Sequence, residues 1–119
     1  MTSKSPLRNV AYARSGDKGI HANIGVIAYS KEAFEFLSKE LTQELVELFF
    51  KEKFPDSLKG VKRYELPNLL SFNFVLEGIL GEGGSLSLRT DAQGKVLGQV
   101  MLELLLPIPK LLLEGNSSC

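Results

Sequence analysis

The stretch LRNVAYARSGDKGIHANIGVIAY, residues 7–29, contains two apolar segments on either side of a polar stretch that is rich in glycine. The first segment, residues 7–13, carries the β-favouring side chains Val10 and Tyr12, and the second, residues 24–29, is a short apolar run. This arrangement predicts two strands joined by a loop, and it places the beginning of the chain in a β-sheet.

Two helices are predicted directly after this pair of strands. Ser30 is a favourable N-cap residue, and Thr42 is placed to cap a second helix after a break. The helical segment ends before Pro55. Its apolar stripe consists of residues that recur every four positions, namely Ala33, Leu37, Leu41 and Leu45.

The second half of the chain is predicted to continue with further strands and helices. Residues 61–66 are typical of a strand, residues 69–80 of a helix and residues 85–90 of a half-buried strand. The apolar spacing of residues 95–106 favours a helix, whereas Gly98 favours the alternative of a strand.

The two ends of the chain are expected to lie outside the main fold. Residues 1–6 are polar and are expected to be flexible, and residues 107–119 are expected to form an extended C-terminal arm. The arm packs either on its own domain or on a neighbouring subunit of a homo-oligomer. Together the elements predict a single α+β domain over residues 1–119, a two-layer sandwich with helices on one face of a mixed sheet. The nearest common architecture is ferredoxin-like.

Composition restricts the class of partner. Lys plus Arg number 14 and Asp plus Glu number 14, so the net charge is zero and no long-range field selects nucleic acid or an anionic membrane. No apolar stretch reaches the roughly 20 residues that cross a bilayer. The single cysteine, Cys119, excludes an intramolecular disulfide and favours a cytoplasmic location. With one histidine and one cysteine, no metal and no cofactor are expected.

The loop of residues 14–19 concentrates the groups that could carry chemistry. Gly16 and Gly19 permit positive φ angles, so successive backbone N–H groups can form a concavity for an anion. Arg14 and Lys18 add two cations suited to a carboxylate or a phosphate, although the same residue types also form ordinary solvated turns. The candidate ligand-binding residues are Arg14, Ser15, Gly16, Asp17, Lys18, Gly19, Asn23 and Arg89. Arg89 follows a second glycine cluster, GEGG at residues 81–84.

Catalytic candidates are restricted to the same loop. They are Asp17, Lys18 and His21, of which His21 could act as a general base but is more often a surface residue in such a position. Two nucleotide-binding motifs are excluded. The P-loop motif fails because the lysine of the loop lies between the glycines and no hydroxyl residue follows it, and the dinucleotide fingerprint Gly-x-Gly-x-x-Gly is absent. A Ser-His-acid triad is not indicated.

The sequence resembles a known family over about residues 8 to 105. Residues 13–19, ARSGDKG, followed by residues 22–28, ANIGVIA, are similar to the small C-terminal domain of AtuA-like proteins, which are named after acyclic terpene utilisation. Further matches follow in the family's order, namely ELPN at 65–68, FNFVL at 72–76, GG at 83–84, SLR at 87–89 and DAQGK at 91–95.

The resemblance implies a ferredoxin-like fold and a link to the catabolism of acyclic terpenes and related acyl-CoA compounds. It implies either the tail of a larger AtuA-like chain or a stand-alone small protein, and the latter is expected here. No catalytic set is carried over. Ile20 and His21 depart from the polar residue that commonly follows the second glycine of the family's pattern. The positions that match the signature are Arg14, Ser15, Gly16, Asp17, Lys18, Gly19, Asn23 and Gly25.

Three hypotheses about function remain. The leading one is an accessory domain that self-associates, binds an anionic small molecule at the loop and works with a separate, larger AtuA-like subunit. The anion would be a phosphate, a carboxylate or an acyl-CoA compound. The second is a small enzyme acting on an acyl-CoA or carboxylate, in which Asp17 or His21 moves a proton. The third is a purely structural oligomerisation module.

Overall fold

The computed structural model describes residues 4–80 and 96–117 of the chain. The strands in these ranges are β1 (Ser5–Pro6), β2 (Ala11–Lys18), β3 (His21–Ala28), β4 (Gly60–Leu66), β5 (Ser71–Glu77) and β6 (Leu105–Leu106). The α-helices are α1 (Lys31–Glu40), α2 (Gln43–Lys53), α3 (Val96–Met101) and α4 (Lys110–Ser117). Two short 3₁₀ helices lie at Leu7–Asn9 and Pro67–Leu69.

A four-stranded sheet with the order β2-β3-β5-β4 forms the centre of the domain, and its neighbouring strands are antiparallel. β3 and β4 both pair with β5, so they run parallel to each other and are connected by α1 and α2. These helices and α3 pack on one face of the sheet, called the covered face below. The opposite face carries the exposed side chains of Tyr12, Arg14 and Tyr64, and it is called the open face. The predicted two-layer α+β sandwich is therefore confirmed.

Alternate residues of the central strands build the core on the covered face. The ring of Phe34 from α1 stacks on Phe72, with 4.8 Å between the ring centroids. Burial of each such side chain contributes about 1.5–3 kcal/mol to stability relative to an exposed one. The buried residues of β3 and β5 are Ala22, Ile24, Val26, Ala28, Phe72, Phe74 and Leu76.

Both predicted helix caps are present. The Ser30 side chain accepts a hydrogen bond from the N–H of Ala33 at 3.1 Å, and the Thr42 side chain accepts one from Leu45 at 3.1 Å. Each cap satisfies an N–H group that the first turn of a helix leaves without a partner. The break between α1 and α2 and the end of α2 before Pro55 are confirmed as well.

Side chains of α2 cover the outer edge of β4. The Gln43 Oε1 atom accepts a hydrogen bond from the backbone N–H of Arg63 at 3.1 Å, and Glu47 Oε1 accepts one from Val61 at 3.3 Å. The two acceptors are one helical turn apart, and the two donors are alternate residues of the strand. They occupy backbone donors that would otherwise be available to another strand.

The expectation of a flexible segment over residues 1–6 is wrong for Ser5 and Pro6. These residues pair with Leu106 and Leu105, and the N–H of Leu7 donates to the carbonyl of Leu104 at 2.8 Å. The beginning of the chain is thus held by backbone hydrogen bonds that connect it to the far end of the sequence.

The expectation of an extended arm over residues 107–119 is also wrong, because α4 occupies most of this range. Packing on the domain itself is present, and packing on a neighbouring subunit stays a prediction. Leu106 and Ile108 are buried in the core, and Leu112 packs against it. The prediction of a helix over residues 95–106 is confirmed in part, because α3 is followed by a turn and by β6.

The largest correction concerns residues 69–80, which were predicted to form a helix. They contain β5, a strand with a neighbour on each side. Phe72, Phe74 and Leu76 are buried while Asn73 and Val75 are only half-buried, which is the two-residue alternation of a strand. The strand predicted over residues 61–66 is confirmed as β4. The strand predicted over residues 85–90 lies outside the described residues.

Candidate functional site

The glycine-rich segment is part of a strand. The strand predicted at residues 7–13 begins only at Ala11, after a short 3₁₀ helix, and it continues to Lys18. The predicted loop over residues 14–19 is therefore wrong in extent, since the connection to β3 consists of Gly19 and Ile20. Gly19 has a φ angle of 64°. A glycine with positive φ at the first position of a two-residue hairpin turn matches the right-handed twist of the strands.

This placement changes what the segment can offer to a ligand. Gly16 pairs with Asn23 as an ordinary strand residue, so its N–H does not belong to a concave loop that could receive an anion. Lys18 is the last residue of β2 and pairs with His21. A ligand can therefore meet this part of the molecule only through side chains and through the space that its glycines leave.

Strand alternation divides the candidate residues between the two faces of the sheet. Arg14 lies opposite Gly25 and Gly16 opposite Asn23, and these four positions belong to the open face. Ser15 lies opposite the buried Ile24 and belongs to the covered face. The signature residues are thus close together in the sequence, but they are divided between the two faces of the sheet.

The open face has a gap above Gly25. In the register of the sheet, Gly25 lies between Arg14 of β2 and Asn73 of β5. A Cβ atom at Gly25 would meet only the carbonyl oxygen of Arg14, at 3.9 Å, so the space above the backbone is open. The backbones of Arg14 and Asn73 are about 10 Å apart, which is two strand spacings. We call this depression, with Arg14, Asn23, Gly25 and Asn73, the Gly25 gap.

The polar groups of the Gly25 gap are accessible. Arg14 is exposed and forms no ion pair with a carboxylate of the described residues. The half-buried amides of Asn23 and Asn73 contact each other, with 3.5 Å from Asn23 Nδ2 to Asn73 Oδ1. Within residues 4–80 and 96–117 the NH₂ group of Asn73 has no hydrogen-bond acceptor, so it can donate to a ligand. The gap therefore has a cation on one side and an amide donor on the other, and between them lies the Gly25 backbone, which has no side chain.

Ser15 has a structural role on the covered face. Its Oγ atom accepts a hydrogen bond from the backbone N–H of Gly98 at 2.9 Å. Gly98 lies in the first turn of α3, whose N–H groups have no partner within the helix. A Cβ atom at Gly98 would come within 3.0 Å of Ser15 Oγ, so this glycine permits the close approach of α3 to β2.

The two acid–base candidates are not brought together. Asp17 pairs with Ala22, so by strand alternation it belongs to the covered face, although its own side chain is exposed. His21 belongs to the open face. The Nδ1 atom of His21 accepts a hydrogen bond from the N–H of Gly78 at 2.9 Å. This bond assigns the proton of the neutral ring to Nε2, so the free nitrogen is a donor.

Large apolar side chains are exposed at both edges of the open face. Tyr12 of β2 is 40% exposed and Tyr29, which follows β3, is 53% exposed. Their rings stack with 5.9 Å between centroids. At the other edge of the same face, Tyr64 and Leu66 of β4 are exposed to a similar degree. Aromatic and arginine side chains on one surface are typical of binding sites.

The last points concern Arg89, a metal site and a membrane-spanning helix. Arg89 and the second glycine cluster lie outside the described residues. Within residues 4–80 and 96–117, no three His, Cys, Asp or Glu side chains are grouped so that they could hold a metal ion. No helix of this part of the chain is long and apolar enough to span a membrane.

Sequence reasoning missed Asn73 and did not assign a role to Tyr12. Asn73 was not considered because its segment was predicted to be a helix and not a strand beside Gly25. The alternation of Phe72, Asn73 and Phe74 was a signal for a strand. Gly25 was noted only as a matching position, because the space above a glycine depends on the register of the neighbouring strands.

The fold and this site define a small α+β domain of ferredoxin-like architecture with one open sheet face. The family model described as the AtuA ferredoxin-like domain matches residues 5–107, and the chain belongs to this family. The resemblance inferred from residues 13–28 is therefore confirmed. Neither a curated protein nor a solved structure shows a significant match to the chain.

Proposed function

We propose that this chain is a non-catalytic accessory domain that binds the anionic group of a small molecule in the Gly25 gap. The observation that carries the proposal is an exposed arginine without a carboxylate partner among the described residues, next to a strand position that has no side chain. An arginine on a surface usually has solvent or an anion as its partner, and its planar group suits bidentate binding.

The chemistry of the gap favours a carboxylate or a phosphate. Such a group above Gly25 would accept hydrogen bonds from Arg14 on one side and from the Asn73 amide on the other. The width of about 10 Å between the two strands accommodates one anionic group with hydrogen bonds of ordinary length on both sides. An acyl-CoA compound carries such groups and belongs to the same ligand class.

Binding without catalysis is favoured by the positions of the acid–base candidates. Asp17 and His21 belong to opposite strand faces, and the Nδ1 lone pair of His21 is occupied by Gly78. A general base needs a free lone pair within hydrogen-bond reach of the substrate proton. The hypothesis of a small enzyme therefore has less support than the hypothesis of a binding domain.

A second candidate function is docking on another protein, either a larger AtuA-like subunit or a second copy of this chain. The exposed side chains of Tyr64, Leu66 and Leu69 favour it, because they lie on or beside β4 at the edge of the sheet away from Arg14. The two functions share the open face, because Tyr64 pairs with Asn73 of the gap, so a docked partner would lie beside the bound anion. Sedimentation of the chain alone and mixed with a larger AtuA-like protein tests this candidate.

The experiment for anion binding is calorimetric titration and thermal unfolding with inorganic phosphate, short carboxylates and acetyl-CoA. A ligand that binds only the folded state raises the melting temperature by mass action. We expect binding by the wild type, loss of binding in Arg14→Ala and loss in Gly25→Val, which fills the gap. Lys31→Ala removes an exposed cation at the start of α1 and is the matched control.

The outcomes separate the hypotheses. Equal binding by Arg14→Ala and Lys31→Ala would contradict the proposed site. Turnover of a bound acyl-CoA or carboxylate that disappears in Asp17→Asn or His21→Ala would instead establish the small enzyme. Retained binding in both of these variants supports the accessory domain.

A further inference from the structure

The tyrosines beside Arg14 specify what else a ligand of the Gly25 gap carries. Tyr12 and Tyr29 stack with an interplanar angle of 27°, yet both rings remain about half exposed. Aromatic side chains of this size dominate the energetics of cores and interfaces, and tyrosine is enriched where one part of the ring is apolar and another is wet. An exposed stacked pair is thus a surface that a further planar group can extend.

The position of the pair relative to Arg14 is set by the strand geometry. Tyr12 precedes Arg14 by two residues on β2, so both belong to the open face and their Cα atoms are about 7 Å apart. Tyr12 lies opposite Ile27 of β3. Tyr29 comes two residues after Ile27 and therefore belongs to the same face. The tyrosine pair therefore adjoins the Gly25 gap on the side away from Asn23.

Charge favours an anionic ligand over a cationic one at this place. A cation would be attracted by the faces of Tyr12 and Tyr29, but Arg14 is next to them and is not neutralised by a carboxylate of the described residues. An aliphatic anion would bind Arg14 without using the rings. A ligand that uses both features has a negative group and a planar ring separated by roughly the Tyr12–Arg14 spacing of about 7 Å.

We infer that the open face binds an anion joined to a planar π ring, with the ring against Tyr12 and Tyr29 and the anion in the Gly25 gap. This inference rests on the proposed function and adds the class of ligand to it. Two sources supply the same chemistry, namely aryl carboxylates and nucleoside monophosphates. Both present one ring and one anion at a separation that the surface can span.

The experiment compares pairs of probes in which one member carries a planar π ring and the other carries the same anionic group without it. The first pair is 3-phenylpropionate and 3-cyclohexylpropionate, and the second is adenosine 5′-monophosphate and ribose 5-phosphate. Calorimetric titration of the wild type is expected to show that the planar member of at least one pair binds about 3- to 10-fold more tightly, as stacking of one ring provides. The pair that shows the larger ratio identifies the source.

Three variants test whether the tyrosine ring is the cause. Tyr12→Leu should reduce the ratio of affinities within the pair to about 1, whereas Tyr12→Phe keeps a ring and should keep the ratio. Phe49→Leu is the matched control, because it also removes a ring, but from α2, which packs on the covered face. If Tyr12→Leu does not fold, Tyr29→Leu provides the same test.

The failures of the two proposals are distinguishable. A wild-type ratio near 1, together with binding of ribose 5-phosphate that Arg14→Ala abolishes, would overturn the ring inference and keep the anion site. A ratio that is unchanged in Tyr12→Leu would also overturn it. Absence of binding by every probe would overturn the anion site and the ring inference together.

Discussion

The covered and open faces of the sheet are built from alternate residues of the same strands, but they differ in what their residues do. On the covered face Ser15 anchors α3, and Ile24 and Phe74 are fully buried. On the open face Arg14 is exposed, Gly25 leaves a gap and the Tyr12 side chain is 40% exposed. One face therefore carries the stability of the domain, and the other is the face on which the proposed ligand site lies. The predictions below test this division, beginning with the largest effect.

Removal of a covered-face ring should cost far more than removal of its open-face neighbour. Phe74→Ala is expected to lower the free energy of unfolding by about 3–5 kcal/mol, because it deletes a buried ring and leaves a cavity. Val75→Ala, one residue away and half-buried, should cost less than about 1.5 kcal/mol. Denaturant unfolding of both variants measures the difference. Similar losses in the two variants would contradict the division between faces.

The two glycines Gly25 and Gly78 should differ in the same direction. Gly78 has a φ angle of 77°, and a Cβ atom there would come within 2.7 Å of Lys59 Cγ and 3.1 Å of the Ser57 carbonyl oxygen. Gly78→Ala is therefore expected to cost about 1–3 kcal/mol. Gly25→Val should change stability by less than about 0.5 kcal/mol, since its surroundings are open and valine favours strands. A large loss in Gly25→Val would show that the gap is filled in the folded protein.

Adjacent residues of β2 provide the next comparison. Ser15→Ala leaves the N–H of Gly98 without its acceptor and is expected to cost about 1–2 kcal/mol. Arg14→Ala removes an exposed side chain and should stay within about 0.5 kcal/mol of the wild type. Thermal unfolding of the two variants at one pH gives the values. If Arg14→Ala were the more destabilising of the two, Arg14 would be a structural residue and the anion site would lose its basis.

The smallest effect is expected from a charged pair outside both faces. The Nη1 atom of Arg8 and the Oε2 atom of Glu103 are 2.5 Å apart. The hydrogen bond from Arg8 lowers the pKa of Glu103; desolvation opposes this shift, and the positive charge of Arg8 adds to it. A carboxylate with a lowered pKa stabilises the fold above its unfolded pKa, and this contribution is lost as the pH falls through the folded value. Because both groups are exposed, the contribution is small.

The corresponding measurement is the melting temperature between about pH 5 and about pH 3, the range in which a glutamate titrates. The wild type should lose slightly more stability over this range than Glu103→Gln, which cannot titrate at this position. A steeper loss in Glu103→Gln would contradict the sign of the effect.

The elements that the sequence predicted correctly are those whose signals are local. Ser30 and Thr42 begin α1 and α2 because a hydroxyl side chain can accept a hydrogen bond only from N–H groups a few residues ahead. The strand β4 ends before Pro67 for a similar reason, since proline has no N–H to donate. Neither signal depends on the rest of the molecule.

The errors arose where two periodicities were compatible with the same residues. Phe72, Leu76 and Ile79 are spaced as on a helix, but the neighbouring strands β3 and β4 made residues 71–77 a central strand. The segment around Gly16 carries turn-forming residues, yet its pairing with residues 21–25 extended it into a strand. Pairing with a distant segment supplies backbone hydrogen bonds that no local pattern contains.

The candidate site shows the same limit. Residue types in the sequence were sufficient to indicate Arg14, Gly16 and Asn23 as candidate ligand-binding residues, and to indicate the family that the match over residues 5–107 confirms. The tertiary structure separated Ser15 from Arg14, because successive strand residues point to opposite faces, and it brought Asn73 next to Gly25 from 48 positions along the chain. Chemistry is a property of side chains and can be read from the sequence. Proximity depends on the register of strands, which is a property of the whole sheet.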